Sequence, residues 1–198
     1  MKVIRDRLTR GEQADLVQTV LGIADEAPFY TPTMRGGAPF RVQITSAGVV
    51  GWTSDELGYR YVREHPGTKR PWPSIPDRTA DLATAAATYA GFLGFKPDTC
   101  LVNLYRDGSK RGLHRDDDEL DKTAPIVSVS LGDTCKFRFG GASKSGPFTD
   151  WELRSGDIVV FGGPSRLAWH GVSKILRGTS GLVPGGGRLN LTIRKALA

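Results

Sequence analysis

No apolar run in the 198-residue chain approaches the roughly 20 residues that a membrane-crossing helix needs, and Met1-Lys2-Val3-Ile4-Arg5-Asp6 opens no signal-peptide core. These absences predict a cytoplasmic protein. Cysteine is scarce too: Cys100 and Cys135 stand 35 positions apart (135 − 100) with no Cys-x-x-Cys spacing. A disulfide framework is therefore not expected, and two reduced, structural thiols are. Internal repeats, low-complexity tracts and linkers are also lacking. With 39% hydrophobic and 24% charged residues, residues 1–198 suit one domain with a sizeable core, since two would each be small.

Glycine is the residue in excess, 25 of 198 or about 13% against an average near 7%. The glycines are spread between short apolar runs, which favours the turns of a β-rich fold over a disordered tail. The net charge of +6 and pI near 9.5 suit a polyanionic partner such as nucleic acid, although charge alone does not decide it. Arg60, Arg63, Lys69, Arg70, Lys110 and Arg111 are spread through loops, more like a backbone-tracking surface than a localisation signal.

Thr9-Arg10-Gly11-Glu12 reads as a capping box that opens a helix through Leu16, Val20 and Ile23, ended by Pro28. A second helix is expected from Ala80 to about Leu93, after Pro76-Asp77. Beyond Pro97 short strands follow: 100–106, 126–131, 136–139, 151–153, 157–161, 167–172 and 189–193. This is an α+β, mainly β pattern, and it predicts a double-sheet antiparallel jelly roll with a site between its sheets. Residues 31–75, with Gly51-Trp52-Thr53 and Pro71-Trp72-Pro73, suit ordered loops or hairpins beside that site.

Histidine is as rare as it is informative. Of His65, His114 and His170, the second lies in His114-Arg115-Asp116, where an extended backbone points histidine and aspartate the same way. His170 follows 54 positions after Asp116 (170 − 116). Two imidazoles and one carboxylate are the set that holds non-haem Fe(II) and leaves open coordination positions; the same set also holds zinc. Arg188-Leu189-Asn190-Leu191-Thr192-Ile193-Arg194 alternates strictly, so a strand there turns Arg188, Asn190, Thr192 and Arg194 to one face. Two guanidiniums buried on one face call for an anion. A metal triad followed by an anion clamp indicates an iron oxygenase with a dicarboxylate cosubstrate, and zinc hydrolysis would need no such clamp. Asn103 and Tyr105 repeat the i, i+2 spacing on an earlier strand.

The segments from Gly51-Trp52-Thr53 to Gly58-Tyr59-Arg60-Tyr61, Lys69-Arg70-Pro71-Trp72-Pro73, Asn103-Leu104-Tyr105, His114 to Glu119, Ala124 to Gly132, Ser165 to Gly171 and Arg188 to Arg194 together resemble the AlkB family of Fe(II)- and 2-oxoglutarate-dependent dioxygenases, over about three quarters of the chain. The resemblance implies a double-stranded β-helix core buttressed by N-terminal helices, with residues 31–75 as a nucleotide-recognition lid. It implies iron ligation by His114, Asp116 and His170. It also implies binding of 2-oxoglutarate by Asn103, Leu104, Tyr105, Arg188, Asn190, Thr192 and Arg194, with Arg188 on the distal carboxylate and Arg194 nearer the metal. Base recognition would fall to Trp52, Tyr59, Arg60, Tyr61 and Asp118, with Trp52 stacking a flipped base against His114. Lys144 stands in a substrate-side loop where the bacterial repair enzymes of the family carry an arginine, and keeps the charge without the bidentate geometry. Asp117 stands where they carry a basic residue.

The implied reaction spends 2-oxoglutarate and O₂ at Fe(II) and demethylates bases of the 1-methyladenine and 3-methylcytosine type, releasing formaldehyde, succinate and CO₂. The implied partner is alkylated DNA, with RNA as a second candidate and a monomer as the default state. The alternatives are a dioxygenase acting on protein or a small molecule, and a nucleic-acid-binding module without catalysis.

Overall fold

The computed structural model describes residues 1–106 and 108–198. Its elements run β1 (Lys2–Ile4), α1 (Arg10–Glu26), β2 (Gln43–Gly48), β3 (Gly51–Asp55), β4 (Gly58–Val62), α2 (Asp77–Tyr89), β5 (Thr99–Tyr105), β6 (Arg111–His114), β7 (Ile126–Gly132), β8 (Thr134–Phe139), β9 (Thr149–Leu153), β10 (Ile158–Phe161), β11 (His170–Leu176) and β12 (Arg188–Arg194). A six-stranded sheet in the order β1-β10-β7-β12-β5-β2 and a four-stranded sheet in the order β6-β11-β8-β9 make the expected jelly roll, and β3 and β4 form a separate hairpin. Every pairing between these strands is antiparallel.

The alternation in β12 organises the core. Its partners are in register on both sides: Asn190 lies opposite Asn103 of β5 and opposite Ser130 of β7. Leu189, Leu191 and Ile193 therefore join Val102, Leu104, Val127 and Val129 on the outer face of the large sheet. There Leu16, Val17 and Val20 of α1 and Ala83, Ala86 and Ala87 of α2 cover them. On the inner face Leu101, Tyr105, Ile126, Val159 and Phe161 meet Cys135, Phe137 and Val172 of the small sheet. Each large aliphatic side chain so buried contributes about 1.5–3 kcal/mol. The polar members of β12 are sealed into the same interior, which is where the site forms.

Both helices obey their local signals. Thr9 accepts from the Glu12 amide at 3.3 Å while Glu12 accepts from the Thr9 amide at 2.8 Å, which completes the capping box. The second helix starts earlier than Ala80, directly after Pro76, whose fixed φ suits a helix entry. It stops before Leu93, because Gly91 takes a left-handed φ of +96°. Tyr89 and Leu93 are consequently exposed rather than buried.

Other differences follow from tertiary pairing. The N-terminal strand β1, too short to carry a pattern, is an edge of the large sheet against β10. Within residues 31–75, β2 is the opposite edge strand, with Ile44 and Ala47 fully buried, so the outlying part of that span reduces to its flanking loops and the β3–β4 hairpin. The strand expected at 167–172 begins only at His170, because Gly163–Ser165 form a 3₁₀ turn. Cys100 and Cys135 are both free and buried.

Candidate metal and cosubstrate site

Two adjacent antiparallel strands carry the histidines. His170 at the start of β11 pairs directly with His114 at the end of β6, and their ring centres lie 4.5 Å apart. Gly171 makes this approach feasible, since a Cβ there would stand 2.7 Å from the Arg111 carbonyl oxygen and 2.9 Å from that of Gly112. Asp116, just beyond β6, places Oδ1 3.6 Å from His114 Nε2 and Oδ2 3.5 Å from His170 Nε2. One candidate ligand atom from each of the three lies within 4.8 Å of the others.

The backbone fixes which imidazole nitrogen faces the metal position. His114 Nδ1 is 2.9 Å from the Gly112 carbonyl, and His170 Nδ1 is 2.9 Å from that of Ala168. A carbonyl can only accept, so each Nδ1 carries a proton and each Nε2 is the nitrogen turned toward the cation position. Burial, helped by His170 and Arg111, holds the His114 imidazole well below its usual range and hence neutral. Burial pushes the Asp116 carboxyl up, but Arg194, His170 and His114 outweigh it and keep the group well below the usual carboxylate range. Two imidazoles with Nε2 turned to the same point and one carboxylate anion are the donor set that Fe(II) takes.

The inner-facing residues of β12 line up beside this triad. Arg194 Nη2 is 2.9 Å from Asp116 Oδ2. Asn190 Nδ2 donates to Ser128 Oγ at 2.8 Å and to the Val129 carbonyl at 3.0 Å, and Thr192 Oγ1 donates to Asn190 Oδ1 at 3.0 Å. Arg188 is 1% exposed and gives Nη2 to Ser130 Oγ at 2.9 Å, but its Nε and Nη1 have no partner among the described residues. A buried guanidinium with two idle donors is completed by a carboxylate. The residues present therefore fit a dicarboxylate such as 2-oxoglutarate, and Asn103, Tyr105, Asn190, Thr192 and Arg194 line one cavity with His114, Asp116 and His170. Leu104 does not belong there: the period of the strand turns its side chain to the helix-covered face.

A larger cavity of about 570 Å³ opens on the other side of His114 and Asp116, walled by Phe40, Trp52, Tyr59, Arg111 and Asp118 among others. The expected base-contact residues divide here. Trp52 is only 2% exposed, packed against the Phe40 edge, Tyr59 and the Arg111 guanidinium, and its indole donates to Asp118 Oδ2 at 2.8 Å. It is not an open platform against His114, so a base that stacks on it has to displace a neighbour. Tyr59, 56% exposed, is the ring offered to solvent. Tyr61 sits away from the cavity, its hydroxyl donating to Glu119 Oε1 at 2.6 Å. Arg60 points to the other face of the hairpin and pairs with Asp55. Lys144 lies over the Trp169 ring at 5.1 Å, with Arg115 also over that ring at 5.5 Å.

Behind the ligands is a charge network that has no signature in sequence spacing. Glu119, 2% exposed, receives Arg166 Nη2 at 2.9 Å and Arg194 Nη1 at 2.9 Å. Arg166 Nη1 also donates to the Asp116 carbonyl at 2.6 Å. The network clamps the backbone of Asp116 from behind.

Residues 1–194 match the 2OG-Fe(II) oxygenase superfamily. The chain is 51% identical over 184 residues to the alpha-ketoglutarate-dependent dioxygenase AlkB homolog of Caulobacter vibrioides, covering 93% of this chain and 82% of that one. It is 41% identical over 194 residues to the alpha-ketoglutarate-dependent dioxygenase AlkB of Escherichia coli, covering 98% and 89%. The solved structure of OsALKBH1 superposes with a TM-score of 0.83 at 32% identity, covering 98% of this chain and 96% of that one. With the triad and the arginine strand in the same fold, these likenesses mean that the chain belongs to the AlkB family and is an Fe(II)/2-oxoglutarate-dependent dioxygenase.

Proposed function

We propose that this enzyme oxidatively demethylates N-alkylated bases in nucleic acid, with alkylated DNA as the first substrate and RNA as the second. The observation that carries this reading is the pair of cavities sharing His114 and Asp116: one lined by Asn103, Tyr105, Asn190, Thr192 and Arg194, the other walled by aromatic rings and a carboxylate. The second, at about 570 Å³, falls in the range of small-molecule sites.

When bound, the iron with 2-oxoglutarate and O₂ supplies the oxidation of an N-methyl carbon, whose hydroxymethyl product then leaves as formaldehyde. The chain does the placing. His114, Asp116 and His170 hold the cation, Arg188 holds the distal carboxylate of 2-oxoglutarate, and Asn103, Tyr105, Asn190 and Arg194 surround its other end. Tyr59 presents a ring face to a base, Trp52 offers one once a neighbouring side chain is displaced, and Asp118 presents a carboxylate that favours cationic lesions such as 1-methyladenine and 3-methylcytosine. Residues 31–75 supply the nucleotide lid through their loops and hairpin, on a single dioxygenase domain acting as a monomer. Fixing the methyl carbon beside the oxidant is where the rate gain from orientation lies.

The test is formaldehyde release from oligonucleotides carrying one 1-methyladenine or 3-methylcytosine, as DNA and RNA, single and double stranded, with Fe(II) and 2-oxoglutarate. Formaldehyde equal to succinate is expected with at least one DNA substrate. Succinate formation with no formaldehyde from any oligonucleotide would redirect the reading to a protein or small-molecule substrate.

A further inference from the structure

Arg111 lines both cavities and so stands in the wall between the oxidation site and the base. Its guanidinium carbon lies 5.1 Å from the centre of the Phe40 ring and 5.0 Å from that of Trp52, so it is held by the aromatic cluster of the larger cavity. Its Nη1 is closed to solvent and has no hydrogen-bond partner among the described residues. A buried donor of this kind calls for a missing acceptor.

Among the described residues the two nearby carboxylates have other partners. Asp116 is paired with Arg194 and faces the two histidines, and Asp118 Oδ2 accepts from the Trp52 indole. The two carboxylates of 2-oxoglutarate already have two arginines, Arg188 and Arg194, on the strand that faces them. Arg111, held between the Phe40 and Trp52 rings of the larger cavity, is left with a donor to offer there.

We propose that Arg111 is a specificity-determining residue that donates from Nη1 to the exocyclic oxygen of a neutral N-methylated base, O4 of 3-methylthymine or O6 of 1-methylguanine. The inference rests on the base-demethylation reading above. In the cationic lesions, 3-methylcytosine and 1-methyladenine, an amino donor replaces that oxygen. Arg111 meets that group donor to donor and charge to like charge, whereas Asp118, in the same cavity, accepts from it. One arginine and one carboxylate thus pull the choice between the two lesion classes in opposite directions.

The experiment compares wild type, Arg111→Met and Asp118→Asn on single-stranded oligonucleotides carrying one 3-methylthymine or one 3-methylcytosine. It reads kcat/KM for each and, separately, the affinity of the iron-free protein for each oligonucleotide. Arg111→Met should lower the 3-methylthymine to 3-methylcytosine ratio of kcat/KM about ten-fold or more, the size of a lost hydrogen bond to a charged donor. Asp118→Asn should raise that ratio, and the iron-free affinities should move in the same directions. If Arg111→Met does not fold, Arg111→Leu is expected to give the same change. A ratio unchanged within two-fold, or a raised KM for 2-oxoglutarate with the base ratio intact, overturns the proposal and in the second case moves Arg111 to the cosubstrate. A wild-type enzyme that makes succinate but demethylates neither base instead overturns the underlying demethylase reading, a failure visible before any variant is compared.

Discussion

Nη2 of Arg194 lies 2.9 Å from Oδ2 of Asp116, so the carboxylate of the candidate metal triad is itself oriented by an arginine of β12. Arg194 is raised well above the usual arginine range: burial alone would lower it, but Asp116, Tyr61 and Glu119 surround it with negative and polar oxygen. The candidate metal triad and the β12 arginine thereby share one charge network, in which outer partners orient the carboxylate.

Removing the carboxylate breaks both functions at that point. Asp116→Ala leaves two imidazoles to hold the cation and strips Arg194 of one of its two carboxylate partners. We expect no detectable formaldehyde release and a large loss of Fe(II) affinity, read by metal titration of the apo-protein. Demethylation at the wild-type rate would refute the assignment of the triad.

Arg188 is the cleaner probe of the cosubstrate, because its Nε and Nη1 are buried without partners among the described residues and it is not a neighbour of the metal ligands. Arg188→Ala should raise the apparent KM for 2-oxoglutarate roughly 10- to 150-fold, the equivalent of about 1.5–3 kcal/mol for charge-assisted hydrogen bonds. Fe(II) affinity of the apo-protein should change far less than in Asp116→Ala. An unaltered 2-oxoglutarate titration would mean that the idle donors of Arg188 serve something else.

Much of this arrangement was legible in the sequence where a short-range period fixes side-chain direction. Alternation in Arg188–Arg194 gives the inward face of a strand buried on both sides, and the same period places Asn103 and Tyr105 across from it. The capping box at Thr9 is equally local. Illegible were the features decided by partners far along the chain. Strands β1 and β6 are too short to show a pattern of their own, and each exists through its pairing, with β10 and β11 respectively. Arg166 and Glu119 lie in polar loop sequence, and only the fold reveals them as a buried pair. Arg111 looked like one more surface base among several, because no periodicity announces that Phe40 and Trp52 close over it. Tyr61 follows Tyr59 by two and shares its strand face, yet its greater depth turns it from a base contact into a partner of Glu119.

Glu119 offers a test of that hidden network through stability rather than activity. It is 2% exposed and lies between Arg166 and Arg194 at 2.9 Å each. Glu119→Gln keeps the shape but leaves two buried guanidiniums facing a neutral amide, and breaking a buried ion pair from one side costs about 3–5 kcal/mol. The loss should appear in denaturant unfolding of the metal-free protein at pH 7. Burial pushes the Glu119 carboxyl up and Asp116 adds to this, but Arg194 and the hydrogen bonds from Tyr61 and Arg166 prevail, so its folded pKa is below the ordinary value. A depressed carboxyl contributes stability in full above its unfolded pKa of about 4.3 and loses it as pH falls through the folded value. Glutamine does not titrate, so the gap between wild type and Glu119→Gln should be full at pH 7 and narrow progressively below about pH 4. Equal stability at neutral pH, or a gap that widens in acid, would show that Glu119 is not the anion holding Arg166 and Arg194 in place.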